Sequence, residues 1–72
     1  KLPPQNIEAE KSVLGAIMID PEAIVKVADI LEEDDFYKKN HKTIFTAMKE
    51  IYSKGEPIDI LSLPSRLKEK NI

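Results

Sequence analysis

An all-α fold, a small orthogonal bundle of about four helices, follows from three observations. Apolar residues recur at helical period in separate stretches, oxygen-bearing or proline-containing start signals precede those stretches, and Gly55 with Pro57 stops the longest of them. The expected helices cover residues 6–19, 20–32, 40–54 and 62–70. Leu2-Pro3-Pro4 is an extended lead-in, because each proline bars the residue before it from helix.

Asn6 is the expected cap of the first helix. Ile7, Val13, Leu14, Ile17 and Met18 form its buried stripe, with Glu8, Glu10 and Lys11 assigned to the opposite face. Gly15 interrupts that helix. Glycine there costs roughly 0.5–1 kcal/mol against alanine, so a crossing helix that leaves no room for a side chain is expected, the alternative being a glycine tolerated in a marginal helix.

Asp20-Pro21-Glu22 starts the second helix: an oxygen cap, a proline where no N–H is needed, and a carboxylate near the positive end of the dipole. Ala23, Ile24, Val27, Ala28 and Leu31 follow as one stripe. The third helix buries Ile44, Phe45, Met48, Ile51 and Tyr52, and Gly55 serves as its left-handed cap. Ile58-Asp59-Ile60-Leu61 is a short apolar run that periodicity leaves open between strand and turn, and it is expected to be a buried connector. Ser62 is the expected cap of the fourth helix, with Pro64 in its first turn, Leu63 and Leu67 inward, and Asn71 as the stop.

The chemistry-bearing residues concentrate at the start of the third helix, where Asp35-Phe36-Tyr37, His41 and Ile44-Phe45 fall within eleven residues. His41 shares a face with Ile44 and Phe45, the two upstream aromatics can fold over that turn, and Asp35 can reach either free backbone N–H groups or the imidazole. A structural role is expected for His41. It stands alone, without the second histidine or Glu-x-x-His pairing that a helical metal site needs, and Asp35 with His41 lacks an activated nucleophile. Gly15 and Gly55 lie too far apart for a phosphate-wrapping loop. No catalytic, cofactor-binding or metal-binding residue is therefore assigned, and partner-binding residues are left unknown.

One domain at most fits in 72 residues, and a chain this short has a small stability margin, which favours a larger assembly. The absence of cysteine excludes disulfides and thiolate metal sites. A net charge of −2 with both signs interspersed suits a solvated surface better than a nucleic-acid footprint. Glu32-Glu33-Asp34-Asp35 faces Lys38, Lys39 and Lys42 as complementary charge at a helix junction. The longest apolar run, residues 13–19 with a glycine inside it, is shorter than the roughly 20 residues of a membrane span, so a soluble, cytoplasmic chain without membrane contact is expected. A start at Lys1, without methionine, suggests a piece of something longer.

Pro3-Pro4-Gln5-Asn6-Ile7-Glu8-Ala9-Glu10, Val13-Leu14-Gly15-Ala16-Ile17, Asp35-Phe36-Tyr37 with His41 and Ile44-Phe45, Ala47-Met48, and Gly55-Glu56-Pro57-Ile58-Asp59 together resemble the N-terminal domain of the bacterial replicative DNA helicase, the DnaB-type hexameric family. The resemblance spans nearly the whole chain. It implies that residues 1–72 are a helical collar domain, incomplete at its C-terminal side because the family's domain continues into further helices and a hairpin. It also implies a non-catalytic, oligomer-organising role. The expected partners are other copies in a hexameric ring, primase and the helicase loader. ATP and Mg would belong to a separate motor domain of the parent, through which alone DNA would be met. A free-standing helical adaptor or nucleic-acid-binding module is the alternative, and sequence beyond Ile72 would discriminate the two.

Overall fold

The computed structural model describes residues 6–70, so the expectations for Leu2-Pro3-Pro4 and Asn71 fall outside the described residues. Four α-helices run in the order α1 (Ile7–Ile19), α2 (Ala23–Ile30), α3 (Lys39–Ser53) and α4 (Ser62–Glu69), with one 3-10 turn, Glu33–Asp35, between α2 and α3. The described residues contain no strand. Helix α3 is the hub. It packs against α1, α2, the 3-10 turn and α4, and it contributes Phe45, Ala47, Met48 and Ile51 to a core completed by Leu14, Ile17, Ile24, Leu31, Phe36, Ile58 and Leu63.

The caps explain the boundaries. The Asn6 side chain accepts the Ala9 N–H at 2.9 Å, satisfying one of the free donors that every helix start presents. Asp20 behaves as expected in chemistry but not in register. Its carboxylate accepts the Glu22 N–H at 3.3 Å, while the backbone makes three successive i to i+3 bonds from Ala23, Ile24 and Val25. The Asp20-Pro21-Glu22 segment is thus a tight turn, and regular helix begins only at Ala23. At the other end Leu31 is already extended, so α2 is shorter at both ends than the expected residues 20–32.

Helix α3 stops as expected. Gly55 sits at φ +72°, its N–H reaches Tyr52 O at 2.9 Å, and the Glu56 N–H reaches back to Ile51 O at 3.1 Å. That pair of bonds is a Schellman closure, whose left-handed position favours glycine because a Cβ there is penalised.

Tyr52 and Ala28, expected on the core-facing stripes of α3 and α2, are exposed, each near the end of its helix where no neighbouring element among the described residues covers it. Further expectations also need correction. No helix crosses at Gly15: a Cβ built there would meet nothing within 4 Å, so this glycine is tolerated and no close approach requires it. The 58–61 segment is not a buried connector. Ile58 is buried, but Ile60 and Leu61 are each 78% exposed, because the chain turns sharply between them. Ser62 is not the cap but the first helical residue. Asp59 takes the capping role, its Oδ1 accepting the N–H groups of Leu61 and Ser62 at 2.9 and 2.8 Å. The Ser62 hydroxyl instead accepts the Asp59 N–H and donates to Pro57 O, tying the turn together. The Ser62 and Leu61 N–H groups, by donating to it, hold the Asp59 carboxyl below its usual range.

Candidate functional site

The junction of α1 with the start of α3 is built around a residue that the stripe assignment put on the wrong face. Glu10 is fully buried. Its Oε2 accepts the Tyr37 N–H at 2.6 Å, and its Oε1 accepts the Lys38 N–H at 3.3 Å and faces His41 Nδ1 at 2.7 Å. Lys38 is the N-cap of α3 and has no side-chain cap of its own, so a carboxylate from a different helix occupies the positive end of the α3 dipole. Burial alone would push the Glu10 carboxyl up. The Tyr37 N–H, the His41 ring and the Lys38 N–H outweigh it, and the group titrates below the ordinary carboxylate range. An ionised carboxylate only accepts, so Nδ1 of His41 carries the proton in this contact.

His41 therefore lies where its spacing puts it, in the first turn of α3 and buried, but its partner is Glu10 and not Asp35. The Asp35 carboxylate accepts the Glu32 N–H at 2.8 Å and closes the 3-10 turn. Phe36 folds over α3 as expected, its ring centroid 5.0 Å from that of Phe45 in a tilted arrangement. Tyr37 stays exposed, although its N–H is clasped from below. The acidic and basic runs do meet, with Lys42 Nζ 3.6 Å from Asp34. The shorter contact comes from a lysine outside the basic run, Lys49, whose Nζ lies 2.6 Å from Glu33 and 5.2 Å from the Phe45 ring centroid. That ammonium lowers the Glu33 carboxyl.

Periodicity contained the signal for Glu10. Ile7, Glu10, Leu14 and Ile17 fall at i, i+3, i+7 and i+10, one continuous stripe, so a carboxylate stood at a core position and required a partner. With both side chains enclosed, the pair has no face open to a substrate and acts as a clasp. Among the described residues no group of three His, Cys, Asp or Glu side chains is placed to hold a metal ion. The two glycines offer no phosphate cradle, so the residues described here do not fit ATP with Mg.

The open chemistry of this chain is on its surface. Helix α2 buries Ile24, while Val25 and Ile30 are exposed on its outer side, flanking the charged Lys26 and Asp29. Ile19 at the end of α1 and the Ile60–Leu61 pair add to that surface. The large exposed aliphatic side chains of the described residues thus lie on α2, in the α3–α4 connector and at the end of α1, and none lies on α4. No helix among the described residues is long and apolar enough to cross a membrane.

Residues 2–72 match the family described as DnaB-like helicase N terminal domain. The chain belongs to this family. It is 46% identical over 67 residues to the replicative DNA helicase DnaC of Bacillus subtilis, covering 93% of this chain and 15% of that protein. The replicative DNA helicase DnaB of Geobacillus stearothermophilus is 45% identical over 67 residues, with the same coverage. In three dimensions the chain resembles the crystal structure of the N-terminal domain of DnaB helicase from Mycobacterium tuberculosis, with a TM-score of 0.90 and 34% identity over 97% of this chain and 49% of that one. The chain thus spans about 15% of the length of these two helicases. Family membership and fold together account for the all-α architecture.

Proposed function

We infer that this domain is a non-catalytic protein-interaction and oligomer-organising module of a replicative DNA helicase. In this reading it contributes to the collar of a hexameric ring and to contacts with primase and a helicase loader. ATP and Mg are handled by a separate motor domain, and DNA is engaged only through the parent protein. The observation that carries the reading is the contrast within α2. Its inner side packs Ile24 into the core, while its outer side leaves Val25 and Ile30 exposed beside Lys26 and Asp29, the mixed apolar and charged surface of a protein contact. The one buried polar cluster among the described residues, Glu10 with His41, is enclosed and supports architecture, not turnover.

The test is deletion of residues 1–72 from the helicase that contains them, with ring assembly, nucleotide hydrolysis and primase binding measured separately. Impaired ring organisation and primase or loader response, with basal hydrolysis at least partly retained, is the expected outcome. Unaltered assembly and partner response would overturn the reading.

A further inference from the structure

Between the turn that starts α2 and the turn that ends α3 lies a groove of about 520 Å³. Its floor is Ile58, a buried core residue, and its apolar walls are Pro21, Pro57 and the partly exposed Tyr52 ring. Gly55 contributes no side chain, and even a Cβ there would meet nothing within 4 Å, so that edge stands open. The rim carries two carboxylates, Glu22 and Glu56, and the described residues that line the groove include no ammonium or guanidinium. Resting on the reading of this domain as a protein-interaction module, we propose that the groove docks a short extended segment of a partner protein in which an apolar side chain stands next to a lysine or arginine.

Each part of the groove matches one part of that segment. An apolar side chain seated against Pro21, Pro57 and Ile58 leaves water for apolar surface. The adjoining cation meets the Tyr52 ring and the two carboxylates, a combination that attracts a guanidinium or ammonium through the ring quadrupole and through charge. Nucleic acid is disfavoured by the same carboxylates. The walls are held before binding: proline fixes φ at positions 21 and 57, Gly55 closes the α3 cap, and the Ser62 hydroxyl bonds Pro57 O, so little ordering entropy opposes docking. At Glu56 the incoming cation competes, among the described residues, with Arg66, whose Nη2 forms a long ion pair at 3.8 Å from Oε1, beyond hydrogen-bond distance.

The experiment titrates the 15N-labelled chain with a short acetylated, amidated peptide alternating leucine and arginine, and with the same peptide carrying glutamate for arginine. Saturable amide shifts centred on Tyr52, Gly55, Glu56 and Ile58 with the arginine peptide alone are expected. Tyr52→Ala and the Glu22→Gln/Glu56→Gln pair should each weaken binding about tenfold with helix content unchanged by circular dichroism. Equal binding of the glutamate peptide, or shifts centred on Val25, Ile30, Ile60 or Leu61, would overturn the proposal. So would a doubled mass in solution with the same shifts appearing without peptide, since the occupant would then be a second copy. In the parent helicase, partner binding lost on deletion of residues 1–72 but retained in the Glu22→Gln/Glu56→Gln variant would sink the groove and leave the interaction module standing.

Discussion

The α1–α3 junction and the outer side of α2 treat side-chain polarity in opposite ways. At the junction a charged group, Glu10, is sealed inside an apolar core, and donors from two backbone N–H groups and one imidazole compensate for the lost water. On α2 the inversion runs the other way, with Val25 and Ile30 left in solvent on a helix whose inner residue Ile24 is buried. The first arrangement is complete within these residues: no buried side-chain polar atom of the described residues lacks a partner. The second is incomplete, because nothing in the described residues covers it. Internal satisfaction marks what holds the fold; unsatisfied apolar surface marks where contact with something else is worth most.

The sharpest way to break this comparison is to remove the clasp. Glu10→Ala leaves two part-buried N–H groups and a buried imidazole without their acceptor, a loss on the order of 3 kcal/mol. Urea denaturation should show the midpoint falling accordingly. His41→Ala, which leaves both backbone bonds to Glu10 in place, should cost less, about 1–2 kcal/mol. If Glu10→Ala were no worse than a surface substitution, the junction would not be what holds α1 to α3. A double-mutant cycle on the two residues sharpens the result, since a direct contact predicts non-additive losses.

Acid provides a second probe of the same junction. The folded Glu10 carboxyl titrates below its ordinary value of 4.5, so its contribution is fully present above the unfolded value and is lost as pH falls through the folded one. Glu33, lowered chiefly by Lys49, and Glu50, lowered chiefly by Lys70, act with the same sign from more exposed positions. The urea midpoint should therefore hold near neutrality and decline as pH drops below about 4.5. Glu10→Gln should start from a lower midpoint and show a shallower decline. A parallel decline in that variant would assign the acid sensitivity to the surface pairs.

How far the sequence revealed these regions depends on what each signal encodes. Helix existence was legible because Ile44, Phe45, Met48 and Ile51 share a stripe and Gly55 needs its left-handed φ. The start of α2 and the Asp59 cap were misplaced by a few residues, because Asp20, Asp59 and Ser62 all carry oxygens suited to capping and only the chain path decides which N–H each meets. Glu10 was assigned to the wrong face on side-chain polarity although its position lies on the apolar stripe; its partners sit 27 to 31 residues away, a long-range pairing that local reading does not contain. The exposed side of α2 was missed because one helix's apolar residues do not say how many neighbours will cover them.

Gly15 gives a smaller effect that separates local propensity from packing. With open space where its Cβ would be, Gly15→Ala should stabilise the chain by roughly 0.5–1 kcal/mol by reducing backbone freedom in the unfolded state. A destabilised variant would mean that something approaches α1 there after all.

The smallest expected stability change is on α2, and there the near-absence of an effect is the informative result. Val25→Ser and Ile30→Ser remove apolar area that already faces water, so neither loses core contacts, and each should alter the urea midpoint by no more than about 0.5 kcal/mol. Ile24→Ser, one position away and fully enclosed, should destabilise far more, because it leaves a cavity and buries a hydroxyl. If this side of α2 is a docking surface, the two outer variants should instead lose partner binding or ring assembly in the parent helicase while the isolated domain melts as before. Substitutions that lower both stability and assembly together would place Val25 and Ile30 in the core's support and erase the distinction between the two regions.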